Sequence, residues 1–176
     1  MLLGSKHTSS FKDRSEKYQI VWTGPDSNTV PSRSTQQVIL EMISSAKRSV
    51  FMASYVAYDV DRLGSELNTI IDSGVRVDIL LERPEDRGGK VRGNSFDFFK
   101  SNVPGAKLYQ WIPEYGLSVV HAKCVVVDSR TAFITSANLT ESAMDRNMEL
   151  GILITGGEIP DSLSKHFRSL IDTKII

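Results

Sequence analysis

The alternation of hydrophobic and polar positions along the chain predicts a series of strands and helices. Runs of apolar residues, or runs that alternate with period two, are typical of strands. Such runs occupy residues 18–22, 49–57, 75–81, 106–111, 119–127, 131–136 and 149–155. Between several of them the apolar residues recur every three or four positions, as they do on one face of a helix. The pattern therefore alternates strands with helices from residue 18 onward.

The helical spacing covers residues 34–46, 61–72, 95–100 and 159–171. Ser34 or Ser32 has the side chain that an N-cap requires, and Gly74 stands where the second helix needs a C-terminal cap. Residues 128–130 predict a tight hairpin, which is incompatible with an all-parallel sheet. The pattern predicts an α/β fold in which a mixed β-sheet is flanked by helices on both faces.

The first part of the chain differs in composition from the rest. Residues 1–17 are mostly polar and predict an N-terminal arm that is ordered poorly or attached loosely. Residues 18–176 have the length of one domain with a single core. We therefore expect one folded domain that begins at residue 18.

Composition and charge narrow the class of protein without identifying it. Hydrophobic residues make up 40% of the chain and charged residues 24%, as in ordinary globular proteins. The sequence shows no bilayer-spanning stretch, no signal peptide and a single cysteine, Cys124, which together favour a cytoplasmic location. The net charge is zero, and this counts mildly against a nucleic-acid ligand, although one groove of a neutral protein can still be basic.

Two segments carry residues suited to a tetrahedral, anionic substrate. His121 and Lys123 are two residues apart in a predicted strand, so their side chains project from the same face. Ser136 and Asn138 end the next strand and can donate hydrogen bonds to the same anion if the two strands are neighbours. Glu149, at the start of the last strand, is placed to hold one nitrogen of His121. The pattern predicts a nucleophile, a cation and hydrogen-bond donors at one site.

The spacing of these residues resembles the HKD motif of the phospholipase D superfamily. His121, Lys123, Asp128, Ser136 and Asn138 match that motif position by position. The resemblance extends over about residues 18–172 and implies a phospholipase D-like fold with one HKD motif per chain.

Two further positions bear on the resemblance. Asn147 and Glu149 are similar to an Asn/Glu element that lies downstream of the motif in the family. Thr135 departs from the family, which usually has glycine there, and its side chain could narrow the floor of the phosphate site.

The resemblance implies a metal-independent phosphodiesterase that needs no cofactor. In the family, one HKD histidine attacks phosphorus to form a phosphohistidine, and a second histidine acts as general acid. This chain has one motif, because neither His7 nor His166 is followed by Lys two residues on. Small nucleases of the superfamily pair two identical chains, which implies a homodimer that shares one site. The sequence also shows no cluster of residues at metal-ligand spacing.

Several of these residues have ordinary structural interpretations as well. Asp128 could simply form the turn at the end of its strand, and Glu149 could be a solvated charge. Cys124 points away from Lys123 along the strand and is expected to fill the core.

The glycine-containing loop 82–93 is rich in charge, and a flexible, solvated loop is its simplest interpretation. The functional alternative places Arg87, Lys90 and Arg92 at the rim of a groove, in contact with phosphates. Trp22, Trp111 and Tyr115 could stack on bases, but packing in the core or at its rim is favoured for each.

The leading hypothesis is a homodimeric nuclease that acts on DNA or RNA. The alternatives are a phospholipid phosphodiesterase and a catalytically weak nucleic-acid-binding subunit of a larger complex. No membrane partner is expected, because the sequence shows no basic amphipathic helix of the kind that docks on membranes. Residues 21–25 are also similar to the phospholipase-D component of bacterial DISARM anti-phage systems. That similarity implies a role in antiviral defence, with other defence-system subunits as partners.

Overall fold

The computed structural model describes residues 16–25, 29, 32–58, 61–85, 89, 95–114 and 118–176. The predicted N-terminal arm lies outside these ranges except for its last two residues. Lys17 already belongs to the first strand, which therefore begins one residue earlier than the pattern predicted.

Seven strands form a mixed sheet at the centre of the fold. The strands of the chain are β1 (Lys17–Thr23), β2 (Ser49–Ser54), β3 (Ala57–Tyr58), β4 (Arg76–Leu81), β5 (Lys107–Tyr109), β6 (Cys124–Val127), β7 (Thr131–Thr135), β8 (Leu139–Thr140) and β9 (Glu149–Thr155). The large sheet has the order β1–β9–β7–β6–β2–β4–β5, and β3 pairs with β8 separately. In the large sheet β4 is parallel to both β2 and β5, and the other neighbouring strands are antiparallel.

Helices cover both faces of the sheet, which confirms the predicted fold class. They are α1 (Thr35–Ser44), α2 (Asp61–Asp72), α3 (Ser95–Asn102), α4 (Glu141–Asp145) and α5 (Ile159–Asp172). The first four contribute buried residues to the larger hydrophobic core, whereas α5 contributes Phe167 to a smaller core on the opposite face. Val50 and Met52 of β2 belong to the larger core and Phe51 and Ala53 to the smaller one, which explains why this strand is apolar throughout.

The predicted helix ends are confirmed by the caps. Ser34 is the N-cap of α1, and its hydroxyl accepts a hydrogen bond from the backbone N–H of Gln37 at 3.3 Å. Gly74 follows α2 with a φ of +87°, a backbone conformation that glycine adopts without the strain of a β-carbon.

The predicted strand 119–127 is shorter than expected, because only Cys124–Val127 forms regular pairs. β2 pairs with β6 up to the register Ala53 with Cys124. Residues 118–123 belong to no strand, although the Lys123 carbonyl still accepts a hydrogen bond from the N–H of Thr135 in β7 at 3.2 Å. The segment that carries His121 therefore lies at the end of the sheet.

Candidate active site

The side chains of His121 and Lys123 lie together where β6 begins. Lys123 Nζ is 3.4 Å from both Nδ1 and Nε2 of His121 and donates to the His121 carbonyl oxygen at 3.1 Å. His121 is exposed and Lys123 is half-buried. The predicted pairing of imidazole and ammonium is therefore observed, although the two residues precede the regular strand. A phosphate that meets the imidazole would also meet a positive charge.

Burial and a neighbouring charge shift the pKa of Lys123 in opposite directions. Partial desolvation lowers the pKa of the Lys123 ammonium, and the nearby Glu149 carboxylate opposes this effect. The net result is a pKa below that of an ordinary lysine. Glu149 is thus close enough to Lys123 to act as its counter-charge.

The orienting role predicted for Glu149 on His121 is not what the structure shows. Its carboxylate accepts a short hydrogen bond from Ser136 Oγ. The same hydroxyl accepts from the backbone N–H of Leu150 at 3.1 Å, and the Ser136 N–H donates to the Leu150 carbonyl at 3.0 Å. β7 and β9 are neighbours, so the ends of these strands bring Ser136 to Glu149. The carboxylate is occupied by the serine and not by a nitrogen of His121.

Asn138 and Asn147 occupy different surroundings. Asn138 is half-buried, and its Oδ1 is buried without a hydrogen-bond partner among the described residues. Its chain neighbour Leu139 is fixed by a bond from its N–H to Ser54 Oγ at 3.0 Å. Asn147 is exposed and lies in the turn before β9, where its N–H bonds the Ser142 carbonyl. The amide oxygen of Asn138 is thus buried and unpaired among the described residues, next to a segment fixed by the Leu139 bond.

Thr135 stabilises the turn that carries Ser136 and Asn138. Its hydroxyl donates to the Leu150 carbonyl at 3.3 Å and accepts from the Ala137 N–H at 3.0 Å. A glycine at this position would leave both backbone groups without these bonds. The departure from the family pattern thus adds a local hydrogen-bonding role.

Tyr55 was not among the residues that the sequence predicted for the site. Its ring centroid lies 5.5 Å from that of His121, and the two ring planes are tilted by 58°. Tyr55 directly follows β2, a neighbour of β6, so it emerges at the same end of the sheet. A polar aromatic residue near the end of the predicted apolar strand 49–57 was the available signal.

Glu82 is the second residue that the sequence did not predict. The pattern placed it at the start of a solvated loop, which is wrong, because the residue is 2% exposed. Its Oε2 accepts a hydrogen bond from the backbone N–H of Val120 at 2.6 Å. Val120 directly precedes His121, so this buried carboxylate fixes the segment that presents the imidazole.

We expect Glu82→Ala to lower turnover of a phosphodiester reporter by about tenfold to hundredfold, because a shift of the His121 backbone misplaces the reacting nitrogen. KM should change much less than kcat. Glu82→Gln is the matched control, since its amide oxygen can still accept from Val120 and should restore most of the turnover. Equal turnover of Glu82→Ala and wild type would show that Glu82 has no positioning role.

Asp128 lies apart from this cluster, at the opposite end of β6. Its carboxylate accepts hydrogen bonds from the backbone N–H groups of Lys47, Arg48 and Ser49 at 2.8–2.9 Å. Asp128 and Ser129 have φ values of +53° and +56° and form the predicted hairpin turn. The structure therefore does not bring Asp128 to the catalytic candidates, and its contacts anchor the hairpin to the segment before β2.

The effect of Asp128→Asn is expected mainly in stability. Partial burial would raise the Asp128 pKa, but the backbone bonds and the Arg48 charge outweigh it, so the pKa lies below its usual value. A carboxyl with a lowered folded-state pKa contributes stability above its unfolded pKa and loses it as the pH falls through the folded pKa. We expect the variant to be about 1–2 kcal/mol less stable at neutral pH. Denaturation at several pH values should show this difference shrinking in acid.

The other residues that the sequence analysis singled out fall into two groups. Some have observed contacts, and the rest lie outside the described residues. Cys124 is buried, and burial raises the pKa of its thiol to about 12, so the prediction of a core residue is confirmed. Trp111 packs against the smaller core, and Trp22 donates from Nε1 to the Pro25 carbonyl at 3.0 Å. Residues outside the described ranges are Arg87, Lys90, Arg92 and Tyr115.

Two further features of the described residues concern metal binding and membrane spanning. Within these ranges, no three or more His, Cys, Asp or Glu side chains are grouped so that they could hold a metal ion. None of the helices in the described ranges is both long enough and apolar enough to cross a bilayer.

Comparison with known proteins establishes the family. The model of the family described as "Cardiolipin synthase, PLD-like domain" matches residues 39–171. The chain belongs to this family and is therefore a member of the phospholipase D superfamily.

Two relatives illustrate the range of proteins that the chain is similar to. The DISARM protein DrmC of Bacillus paralicheniformis is 30% identical over 157 residues, which cover 85% of this chain and 62% of DrmC. The probable cardiolipin synthase YwiE of Bacillus subtilis is 26% identical over 150 residues, which cover 85% of this chain and 28% of YwiE. The chain thus spans less than two thirds of the length of either relative.

Solved structures show the same fold over almost the whole chain. NucT from Helicobacter pylori superposes with a TM-score of 0.70 at 15% identity, covering 89% of this chain and 96% of NucT. Nuc from Salmonella typhimurium, a phospholipase D family member, superposes with a TM-score of 0.67 at 23% identity, covering 88% of this chain and 93% of Nuc. The phospholipase D-like fold predicted from the motif is confirmed.

Proposed function

We propose that the chain is a metal-independent nuclease that cleaves DNA or RNA through a phosphohistidine, at a site shared by two copies. The observation that carries this proposal is the placement of His121 against Lys123, with Ser136 and Glu149 near them. A nucleophile beside a fixed cation suits attack on a phosphodiester, because negative charge develops on the phosphoryl oxygens.

The proposed reaction has two displacements. In the first, a nitrogen of His121 bonds to phosphorus while the bond to the leaving oxygen breaks, and His121 of the partner subunit gives that oxygen a proton. In the second, water attacks phosphorus, the bond to nitrogen breaks, and the partner subunit's His121 takes the proton from the water. Lys123 and Asn138 stabilise the phosphoryl oxygens, and Ser136 joins them when its O–H turns from the Glu149 carboxylate to the phosphate. Glu149 offsets the lysine charge.

A nucleic-acid substrate is favoured by the way in which the relatives match. NucT and Nuc are matched over more than nine tenths of their length. YwiE is matched over only 28% of its length. The similarity to DrmC further supports a role within a DISARM defence system, with other subunits of that system as partners. We propose the cytoplasm as the location, as the sequence favours.

A phospholipid phosphodiesterase is the second candidate, and the cardiolipin synthase relatives favour it. The two substrates can be separated by competition with a phosphodiester reporter. DNA or RNA should inhibit reporter cleavage if the nuclease proposal is right, whereas vesicles that contain phosphatidylglycerol should inhibit it if the substrate is a lipid. A chain that binds nucleic acid but cleaves no reporter would instead be a binding subunit.

We expect cleavage of labelled single- and double-stranded DNA and RNA to continue in excess EDTA, because Lys123, Ser136 and Asn138 supply the charge stabilisation that a metal would otherwise provide. The measurement is the rate of product formation with and without the chelator. His121→Asn serves as the control for contaminating nucleases. If EDTA stops cleavage and Mg²⁺ or Mn²⁺ restores it, the proposed role of these three residues is wrong.

A further inference from the structure

A cleft lies at the end of the sheet opposite to His121. It has a volume of about 1230 Å³ and opens between the start of β2, the β6–β7 hairpin and the end of β9. Lys17 of β1 and Thr131 of β7 both lie opposite Thr155 of β9, which places the first residues of β1 and β7 at this end of the sheet. Asp128, which also lines the cleft, follows His121 by seven residues at the far end of β6. The cleft is therefore separate from the candidate active site.

Positively charged side chains dominate the described lining of this basic cleft. Five cations line it, and all of them are exposed: Lys17, Lys47, Arg48, Arg76 and Arg130. The whole chain has a net charge of zero, so basic residues are concentrated here well beyond their average over the protein. A cleft lined mainly by charges of one sign attracts ligands of the opposite sign.

Two carboxylates among the described residues also line the basic cleft, and other groups of the protein engage both of them. The Asp128 carboxylate accepts hydrogen bonds from three backbone N–H groups at 2.8–2.9 Å. The Asp161 carboxylate forms an ion pair with Lys165 of the same helix at 2.7 Å. Neither carboxylate is therefore bound to one of the cationic side chains of the cleft.

Three of the cations are available to a ligand. Arg76 is paired with the buried Asp78, whose Oδ2 lies 3.0 Å from the arginine Nε. By contrast, Lys17, Lys47 and Arg130 form no ion pair with any residue that the structure describes. A phosphate group in the cleft would thus meet positive charges that no described carboxylate already holds.

Hydrogen bonds fix the segments that carry these cations. The Asp128 carboxylate holds the backbone N–H groups of Lys47 and Arg48, and the Arg48 guanidinium donates to the Asp128 carbonyl at 2.7 Å. The Arg130 carbonyl accepts from the N–H of Gly156 at 2.8 Å. Because the backbone is already held in place, binding requires less ordering of the protein.

We infer that the basic cleft binds successive phosphate groups of a nucleic-acid strand, at a distance from the active site. The inference rests on the proposed function for the class of ligand. Small-molecule sites occupy roughly 300–1,000 Å³ and are mostly apolar, whereas Val127 is the one apolar side chain among the described residues that line this cleft. Most of the others are Lys, Arg, Ser or Thr, the residue types that contact the phosphates of nucleic acids.

One nucleic acid is long enough to contact both the basic cleft and His121. The seven residues from His121 to Asp128 span at most roughly 23 Å of extended chain. Each nucleotide adds about 3.4 Å to a strand of duplex DNA, so an oligonucleotide of about thirty nucleotides is several times longer than this separation. The cleft can thus retain a strand whose scissile phosphate lies at His121.

The test measures the binding of labelled DNA and RNA of about thirty nucleotides by fluorescence anisotropy at several salt concentrations. All proteins are full chains that carry His121→Asn, which prevents cleavage. Lys47→Gln combined with Arg130→Gln should weaken binding roughly tenfold or more in about 0.1 M salt. It should also reduce the slope of log K against log salt by about 1.4–1.8, because each phosphate contact contributes roughly 0.7–0.9. Arg62→Gln combined with Lys100→Gln is the matched control, since it removes the same charges from exposed positions on α2 and α3.

The outcomes separate the basic cleft from the chemistry. Circular dichroism checks that each variant is folded, and Lys17→Gln combined with Lys47→Gln replaces the first pair if that pair is not. Unchanged binding and slope in the cleft variant, or an equal loss in the control, would overturn the inference. Cleft-dependent binding to phosphatidylglycerol vesicles but not to DNA or RNA would also overturn it. Cleft-dependent binding of nucleic acid by a chain whose wild type cleaves no phosphodiester reporter would support the inference and contradict the proposed function instead.

Discussion

His121→Asn is expected to abolish turnover while the fold and the proposed pairing of two chains remain intact. Phosphodiesters hydrolyse very slowly, and the proposed reaction depends on a side-chain nucleophile that divides the displacement into two steps. An imidazole ring nitrogen can attack phosphorus with its lone pair, which an asparagine amide cannot do. His121 is exposed, so its replacement leaves no cavity and no unpaired buried group. Turnover should fall to the uncatalysed background.

Three measurements check this expectation. The reporter rate gives the loss of turnover, and a thermal melt with sedimentation shows that the variant is still folded and associated. A labelled substrate, quenched without acid, should leave the label on wild type at His121 and leave none on the variant. His166→Asn is a matched control, because His166 is also exposed but lies on α5. Near-normal turnover of His121→Asn would mean that another group is the nucleophile.

Lys123→Ala is expected to lower kcat by about a hundredfold or more, the usual cost of removing one group that stabilises charge in the transition state. The ammonium lies 3.4 Å from both ring nitrogens of His121, so it must also be close to a phosphoryl oxygen that the imidazole attacks. Removing it also leaves the Glu149 carboxylate without its counter-charge. Both effects raise the barrier to the same step.

The pH dependence of the activity shows whether Lys123 contributes through its positive charge or through the volume of its side chain. Burial holds the pKa of Lys123 below that of an ordinary lysine, so the protonated, active form should be lost at a lower pH than for a free lysine. Wild-type activity should therefore decline on the alkaline side, and Lys123→Arg should shift that decline upward because arginine stays charged. An alkaline limb that is identical in wild type and Lys123→Arg would show that another group sets it.

The local features of this protein were largely predictable from its sequence. The apolar runs predicted most strands of the sheet, and the helical spacing of apolar residues predicted most helices. The capping residues Ser34 and Gly74 predicted helix ends. The hairpin after β6 was also predicted correctly. These features depend on periodicity and on the conformations of single residues, which neighbouring positions in the chain determine. The family was also predictable, because its motif is a spacing of residues along the chain, which His121, Lys123, Ser136 and Asn138 match.

The partners of the individual side chains were decided only by the tertiary structure. Asp128 matches the motif, yet the length of β6 places it at the other end of the sheet, where it binds the backbone before β2. Glu149 bonds Ser136 because β9 lies beside β7, an order that no local pattern reveals. Glu82 was expected in solvent and is buried against Val120, since β4 and the segment before β6 meet in the fold. Ile20, Ile134 and Ile152 are exposed although the sequence did not distinguish them from core residues, because alternation shows that a strand face is apolar but not whether a helix covers it. Strand order, register and helix placement follow from long-range packing, and these decided which residues meet at the site and which remain exposed.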